Sequence, residues 1–182
     1  MTKSFQLISI LLACLTFISC SKNTYPLKTG PAPIISVGNK VQKYNMTLDF
    51  GGKHFNGMLI AKTMEDGEIR IIATTMFGLS LFDFGMKGEN WNVYSCIEPM
   101  RKDRVLKIFE TDFNLLFLSD RNVKKIEKTK EYTKFVTGGG ISKGVVYVTP
   151  VTENDSEKIQ IKHSWLRLTI GLEKMGENNV IE

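Results

Sequence analysis

IIATTMFGLSLFDFG, residues 71–85, is apolar on both sides of an extended backbone. Read as a strand from Leu79 to Gly85, it sends Leu79 and Leu81 to one face and Phe82 and Phe84 to the other. A half-buried strand alternates apolar with polar and leaves one face wet. Here a second apolar face has to be covered by another part of the chain.

The flanking segments read as strands of the ordinary kind. In YNMTLDF, residues 44–50, Tyr44, Met46, Leu48 and Phe50 alternate with Asn45, Thr47 and Asp49, the period of two of a strand with one buried face. Gly51-Gly52 turns the chain into HFNGMLIAKTM, with Phe55, Leu59 and Ala61 on one side. Asp66-Gly67 is a hairpin signal, and strands are expected over Glu68–Thr74, Leu79–Gly85 and Trp91–Cys96. Short polar returns such as KGEN join them as an antiparallel meander.

The period then changes. In RKDRVLKIFETDFNLLFL, residues 101–118, Val105, Phe109, Phe113 and Leu116 recur at helical spacing, and Leu106 and Phe117 widen the stripe. Pro99 lies just before, where proline suits a helix start. A polar segment, SDRNVKKIEKTKE, separates this helix from four more expected strands: Tyr132–Val136, Val145–Val151, Ile159–His163 and Trp165–Leu172. Beyond Met175 the chain reads as a frayed end. The expected fold is mainly β with one helix (α+β): a curved antiparallel half-barrel sheet with a helix packed in its concave face. Phe109 and Phe113 of that helix are the expected cover for the second apolar face.

The beginning of the chain reads as an export signal. MTKSFQ carries one charge, Lys3, and Leu7 to Ile18 is nearly unbroken apolar sequence. That run is shorter than the ~20 residues a spanning helix needs and fits the central region of a signal peptide. It ends FISCSKNT, and a cysteine after a small residue at this place resembles the lipobox of bacterial lipoproteins, with Phe17 departing from the usual leucine. The resemblance implies that Cys20 becomes an acylated N-terminus. LLAC, residues 11–14, is a weaker match that leaves LTFIS in the mature chain, and a plain signal peptide ahead of an ordinary Cys20 is the remaining alternative. Several acyl chains, at about 0.8 kcal/mol per buried CH₂, anchor a domain without a spanning helix. The expected organisation is signal peptide 1–19, tether 20–36, folded domain 37–175 and a loose end 176–182.

Removing residues 1–19 takes away Lys3 and no acid, so the formal charge falls from +5 to +4, and 163 residues remain, the size of one domain. With Cys20 acylated, Cys96 is the cysteine left over. A disulfide-dense scaffold is thereby excluded and the fold has to rest on its core. No cysteine–histidine spacing suits zinc, and no cofactor is expected.

A strand with GMLIAK, then EIRIIATTMFGLSLFDF, a tryptophan strand and a helix ending FNLLFL together resemble LolA and LolB, the periplasmic carrier and outer-membrane receptor of bacterial lipoproteins. The similarity runs from about Tyr44 to Leu172 and, with Cys20, is closer to the lipid-anchored LolB type. It implies an open curved sheet enclosing an apolar cavity, a place on the outer membrane facing the periplasm, no enzyme activity, and lipoprotein or lipid clients delivered by a periplasmic carrier to a monomer. Candidate cavity-lining residues are Leu81, Phe82, Phe84, Phe109, Phe113, Leu116 and Phe117; the plainer reading of each is ordinary core. LolB also has a protruding loop with an exposed apolar residue used in membrane insertion. The turn Thr74-Thr75-Met76-Phe77-Gly78 offers Met76 and Phe77 for that contact, although core residues at a bulge is the preferred reading.

Other chemistry is poorly represented. His54 and His163 lie in strand-like segments, where each is expected to be structural or at the surface; Ser164 beside His163 points to the opposite face, so the two do not form a catalytic pair. Thr137-Gly138-Gly139-Gly140 is followed by GVVYV rather than a helix, and so reads as a turn rather than a phosphate loop. Arg101, Lys102, Arg104 and Lys107 precede or open the helix, and Arg121, Lys124, Lys125, Lys128 and Lys130 follow it. With Glu127 and Glu131 interspersed they read as a solvated face, the alternative being contact with anionic lipid or an acidic partner. Nucleic acid does not suit an exported, membrane-tethered domain. Cys96, with no histidine near it in sequence, reads as a small buried hydrophobe.

Overall fold

A computed structural model of the chain describes residues 31–38, 40–118, 123–151 and 156–176. Cys20, the export signal and most of the expected tether lie outside the described residues, as does Arg121.

Alternating side chains build the sheet. Ten strands are present among the described residues: β1 (Gln42–Phe50), β2 (Lys53–Thr63), β3 (Ile69–Thr75), β4 (Ser80–Lys87), β5 (Asn90–Cys96), β6 (Val123–Lys128), β7 (Thr133–Thr137), β8 (Gly144–Thr149), β9 (Lys158–His163) and β10 (Leu168–Lys174). The helix, α1, is Asp103–Phe117. All pair antiparallel in one curved, unclosed sheet of order β5-β4-β3-β2-β1-β10-β9-β8-β7-β6. β1 pairs β10 in the middle, with Met46 opposite Leu172, and the sheet's two edges are β5 and β6. The chain travels from one edge to the other through α1. The fold is therefore two five-stranded meanders zipped together at their first and last strands, with a helix crossing the open side.

β6 lies within the segment expected to be a polar connection. Its outward lysines mask the pattern, while Val123 and Ile126 face the core and pair with Thr137 and Phe135. Trp165 differs also: Ser164–Leu166 is a single 3-10 turn, and Arg167 follows at φ 48, so β10 begins at Leu168. At the N-terminal side the domain begins before residue 37. Ile35 is 3 % exposed and donates its N–H to the Leu116 carbonyl at 2.7 Å, so the end of the expected tether is stitched to α1.

The inner face is one apolar surface. Tyr44, Met46 and Leu48 of β1, Leu59 and Ala61 of β2, Ile159 and Ile161 of β9, and Ile170 and Leu172 of β10 form its floor. α1 lays a broad stripe on it, burying Ile108 and Leu115 as well as the expected Val105, Phe109, Phe113, Leu116 and Phe117. At Gly57 an added Cβ would overlap the backbone carbonyl of Thr74, so β3 approaches β2 there at a distance only glycine permits.

Candidate functional site

The two-sided greasiness of residues 71–85 resolves into three parts. Ala73 pairs with Phe82 and Thr74 with Ser80, which leaves Leu81 as an extra residue in β4. A bulge breaks strict alternation, so Leu81 and Phe82 are both buried although adjacent. Phe84 then shares the inner face with Phe82, their rings stacked at 4.6 Å. Phe109 and Phe113 cover them, with centroids 5.5 and 5.7 Å from Phe82 and 5.8 and 6.0 Å from Phe84. The helix is the cover that the strand requires.

The seven expected cavity-lining residues do come together. Leu81, Phe82, Phe84, Phe109, Phe113, Leu116 and Phe117 are all between 0 and 3 % exposed. Phe113 also stacks on Trp91 at 6.3 Å and meets Phe117 at 6.1 Å. Ring spacings of this order are those of packed aromatic cores. These side chains fill the space between α1 and the sheet with one another.

The opposite face of β3 and β4 is covered by polar chemistry. The Arg70 guanidinium makes a two-pronged ion pair with Asp83, one arm at 2.7 Å, and lies over the Tyr94 ring, 3.5 Å from its centroid. Tyr94 is the extra residue of a second bulge, in β5, and its hydroxyl donates to Glu68 at 3.0 Å. Asn92 Nδ2 donates to the same carboxylate at 2.9 Å. A Cβ on Gly85 would overlap the Glu68 carboxylate, so the glycine makes room for this network.

Met76, Phe77 and Leu79 depart from expectation. The preferred reading placed Met76 and Phe77 in the core and Leu79 on a buried face. Instead the β3–β4 turn stands clear of the sheet, and the three are 71, 94 and 68 % exposed. The physical reason is where the strands stop: β3 ends at Thr75 and β4 begins at Ser80, so the side chains between them lie beyond the ladder that would cover them. The turn is nevertheless well braced. Thr75 donates its N–H to Leu79 O at 2.8 Å, Gly78 N–H to Thr75 O at 3.0 Å, and Met76 N–H to Asn56 O at 3.0 Å. Exposed apolar residues clustered on a braced turn make it a candidate contact surface.

One buried polar pair had no signature in the sequence. His163 ends the inner-facing file Ile159, Ile161, His163 on β9, and Asp112 belongs to the buried face of α1. His163 Nε2 lies 2.9 and 3.0 Å from the two Asp112 oxygens, and the residues are 1 and 0 % exposed. They are 51 positions apart, which is why neither was found by reading neighbours. The pair ties α1 to the second meander as the aromatic cluster ties it to the first. His54, by contrast, is exposed and bonded to Asp49 at 2.6 Å and Asn56 at 3.1 Å.

Cys96 is buried, and desolvation pushes its thiol up to about 11, away from the reactive thiolate. Among the described residues no group of three or more His, Cys, Asp or Glu side chains is placed to hold a metal, and no helix is long and apolar enough to cross a membrane. Glu127, read as part of a solvated face, is 6 % exposed and pairs with Lys125 and with Lys134 at 3.3 Å, so its carboxyl is held below the usual range. Comparison with protein-family models, with curated proteins and with solved structures gave no match for this chain.

Proposed function

We propose that this protein is a lipid-anchored domain of the bacterial outer membrane, held by an acylated Cys20 and facing the periplasm. In this reading it receives acyl chains of lipoproteins or related lipids from a periplasmic carrier and releases them into the membrane beside it. The resemblance to LolA and LolB motivates the reading. The observation that carries it is the braced turn with Met76, Phe77 and Leu79 in solvent. Such a tip inserts among acyl chains at a modest cost, because its three apolar side chains are already mostly in solvent.

The relay needs no catalysis. Acyl chains partition between carrier, half-barrel and bilayer by the area each buries, about 0.8 kcal/mol per CH₂. Since the aromatic side chains of α1 and β4 occupy the half-barrel, a client chain enters only if α1 moves away from Phe82 and Phe84. In that sense α1 is a plug, and client binding is a shift between a plugged and an open state.

A second reading is favoured by the same packing. If α1 never moves, the domain is a solid-core lipoprotein that docks another envelope protein through its apolar tip. Photo-crosslinking in cells separates the two, with a small diazirine side chain placed at Phe113 and, separately, at Phe77. The relay predicts lipid or many different lipoprotein adducts from both positions. Adducts from Phe113 confined to the protein itself, with one partner protein captured from Phe77, would replace the relay by the docking role.

A further inference from the structure

A recess opens where the start of α1 faces the turn between β7 and β8. Its volume is about 500 Å³, and its walls include Arg104, Lys107, Lys124, Gly139, Ser142 and His163. Three of its lining side chains are cationic and none is a carboxylate. Lys107 is engaged by Glu110 at 2.9 Å. Arg104 lies over the Trp165 ring, 5.4 Å from its centroid, an arrangement that steadies a guanidinium while leaving its N–H groups free to donate.

The way Lys124 arrives there is specific. Val123 pairs with Thr137 and Lys125 with Val136, so Lys124 is the extra residue of a bulge in β6. Bulges re-aim side chains, and this one brings the Lys124 ammonium to 3.2 Å from the place where a Cβ on Gly139 would sit. The glycine turn thus makes room for a lysine that has no ion pair among the described residues.

The floor supplies the second, independent observation. His163 is 1 % exposed, and while its Nε2 is taken by Asp112, its Nδ1 has no hydrogen-bond partner among the described residues. Thr137, fully buried, has an equally unpartnered hydroxyl. The two residues are neighbours: a Cβ on Gly144 would meet Thr137 Oγ1 at 2.8 Å and His163 Nε2 at 3.0 Å. Buried polar atoms are nearly always satisfied, and the orphan nitrogen of His163, a residue that lines the cationic recess, points to a group that completes it.

We propose that this recess binds a phosphate group, with Arg104 and Lys124 as its charged donors and His163 as the polar floor. Phosphate suits the site because it accepts from both cations, and its protonated form also donates to an unfilled acceptor nitrogen. The assignment stands apart from acyl handling and holds whether or not α1 moves. The group is either free phosphate or the headgroup of an anionic phospholipid.

The test uses the full chain in non-ionic detergent, with calorimetric titration of inorganic phosphate, and flotation with vesicles of phosphatidylcholine alone or mixed with phosphatidylglycerol. The double variant Arg104→Gln/Lys124→Gln is compared with Lys62→Gln, an exposed lysine on β2 outside the recess; circular dichroism confirms that each folds. Loss of two charge-assisted hydrogen bonds should weaken phosphate binding about tenfold or more. Phosphate binding that the double variant loses and Lys62→Gln keeps assigns a free-phosphate site. Loss confined to the phosphatidylglycerol-dependent part of flotation assigns the headgroup. Absence of both, or equal weakening by Lys62→Gln, overturns the proposal and reduces the recess to diffuse positive charge.

Discussion

His54 shows how a single exposed residue reports on the fold around it. Its imidazole sits against the Asp49 carboxylate, and that hydrogen bond is the main reason its pKa is raised above 6.5. A histidine raised by a partner contributes stability that is complete below its unfolded value and is lost as pH rises through the folded one. The expected outcome in an NMR titration is a His54 midpoint above that of a free histidine. Asp49→Asn should bring the midpoint down towards 6.5, with little change in the melting temperature because both side chains are more than half exposed. A midpoint indifferent to Asp49→Asn would mean that the pair does not persist in solution. Buried residues behave differently: the His163–Asp112 pair, the orphaned Thr137 hydroxyl and the Cys96 thiol are all decided by what lies across the core from them.

α1 is the element on which both functional readings turn, and its N-terminal end is weakly held compared with its face. Lys102 at the N-cap is extended, at φ −65 and ψ 133, and makes no side-chain cap. Lys102→Ser places a hydroxyl where the first free N–H groups of the helix can donate to it, and should raise stability by about 1 kcal/mol in chemical denaturation. If α1 is a plug, the same substitution slows client exchange without touching the aromatic cluster. The face is the stronger attachment. Phe113 meets Phe82, Phe84, Trp91, Phe109 and Phe117, and Phe113→Ala should cost about 3–5 kcal/mol. A loss below about 1 kcal/mol would show that the cluster is loosely packed in solution, which favours an opening half-barrel over a solid core.

Over the whole molecule, the sheet's connectivity sets where apolar surface is hidden and where it is shown. Pairing β1 with β10 zips the meanders, so the two edges, β5 and β6, fall on either side of the gap that α1 crosses. Lys124, Lys125 and Lys128 on β6 discourage another strand from adding at that edge. The β3–β4 turn is left outside this enclosure with its three large apolar side chains. In the unacylated Cys20→Ser chain, replacing Met76, Phe77 and Leu79 together by serine should abolish binding to phosphatidylcholine vesicles at unchanged melting temperature, since none of the three is buried. A drop in melting temperature would show that the turn is part of the core after all, and vesicle binding that survives would remove it as the contact.

Much of this was legible along the chain because it is local. Alternation in residues 44–50 and helical spacing in residues 101–118 report one buried face each, and burial of one face follows from spacing alone. From those periods come the mainly β class, the helix, and Phe109 and Phe113 as cover for Phe82 and Phe84. Three things needed the tertiary structure. Bulges at Leu81, Tyr94 and Lys124 reset the alternation by one residue, and a bulge exists only relative to a partner strand. Exposure of Met76, Phe77 and Leu79 depends on where the adjoining strands end, because apolar character does not say whether a neighbour is present. The His163–Asp112 contact and the recess beside it join β9, α1, β6 and the β7–β8 turn, groups that are distant in sequence and meet only once the sheet has curled around the helix.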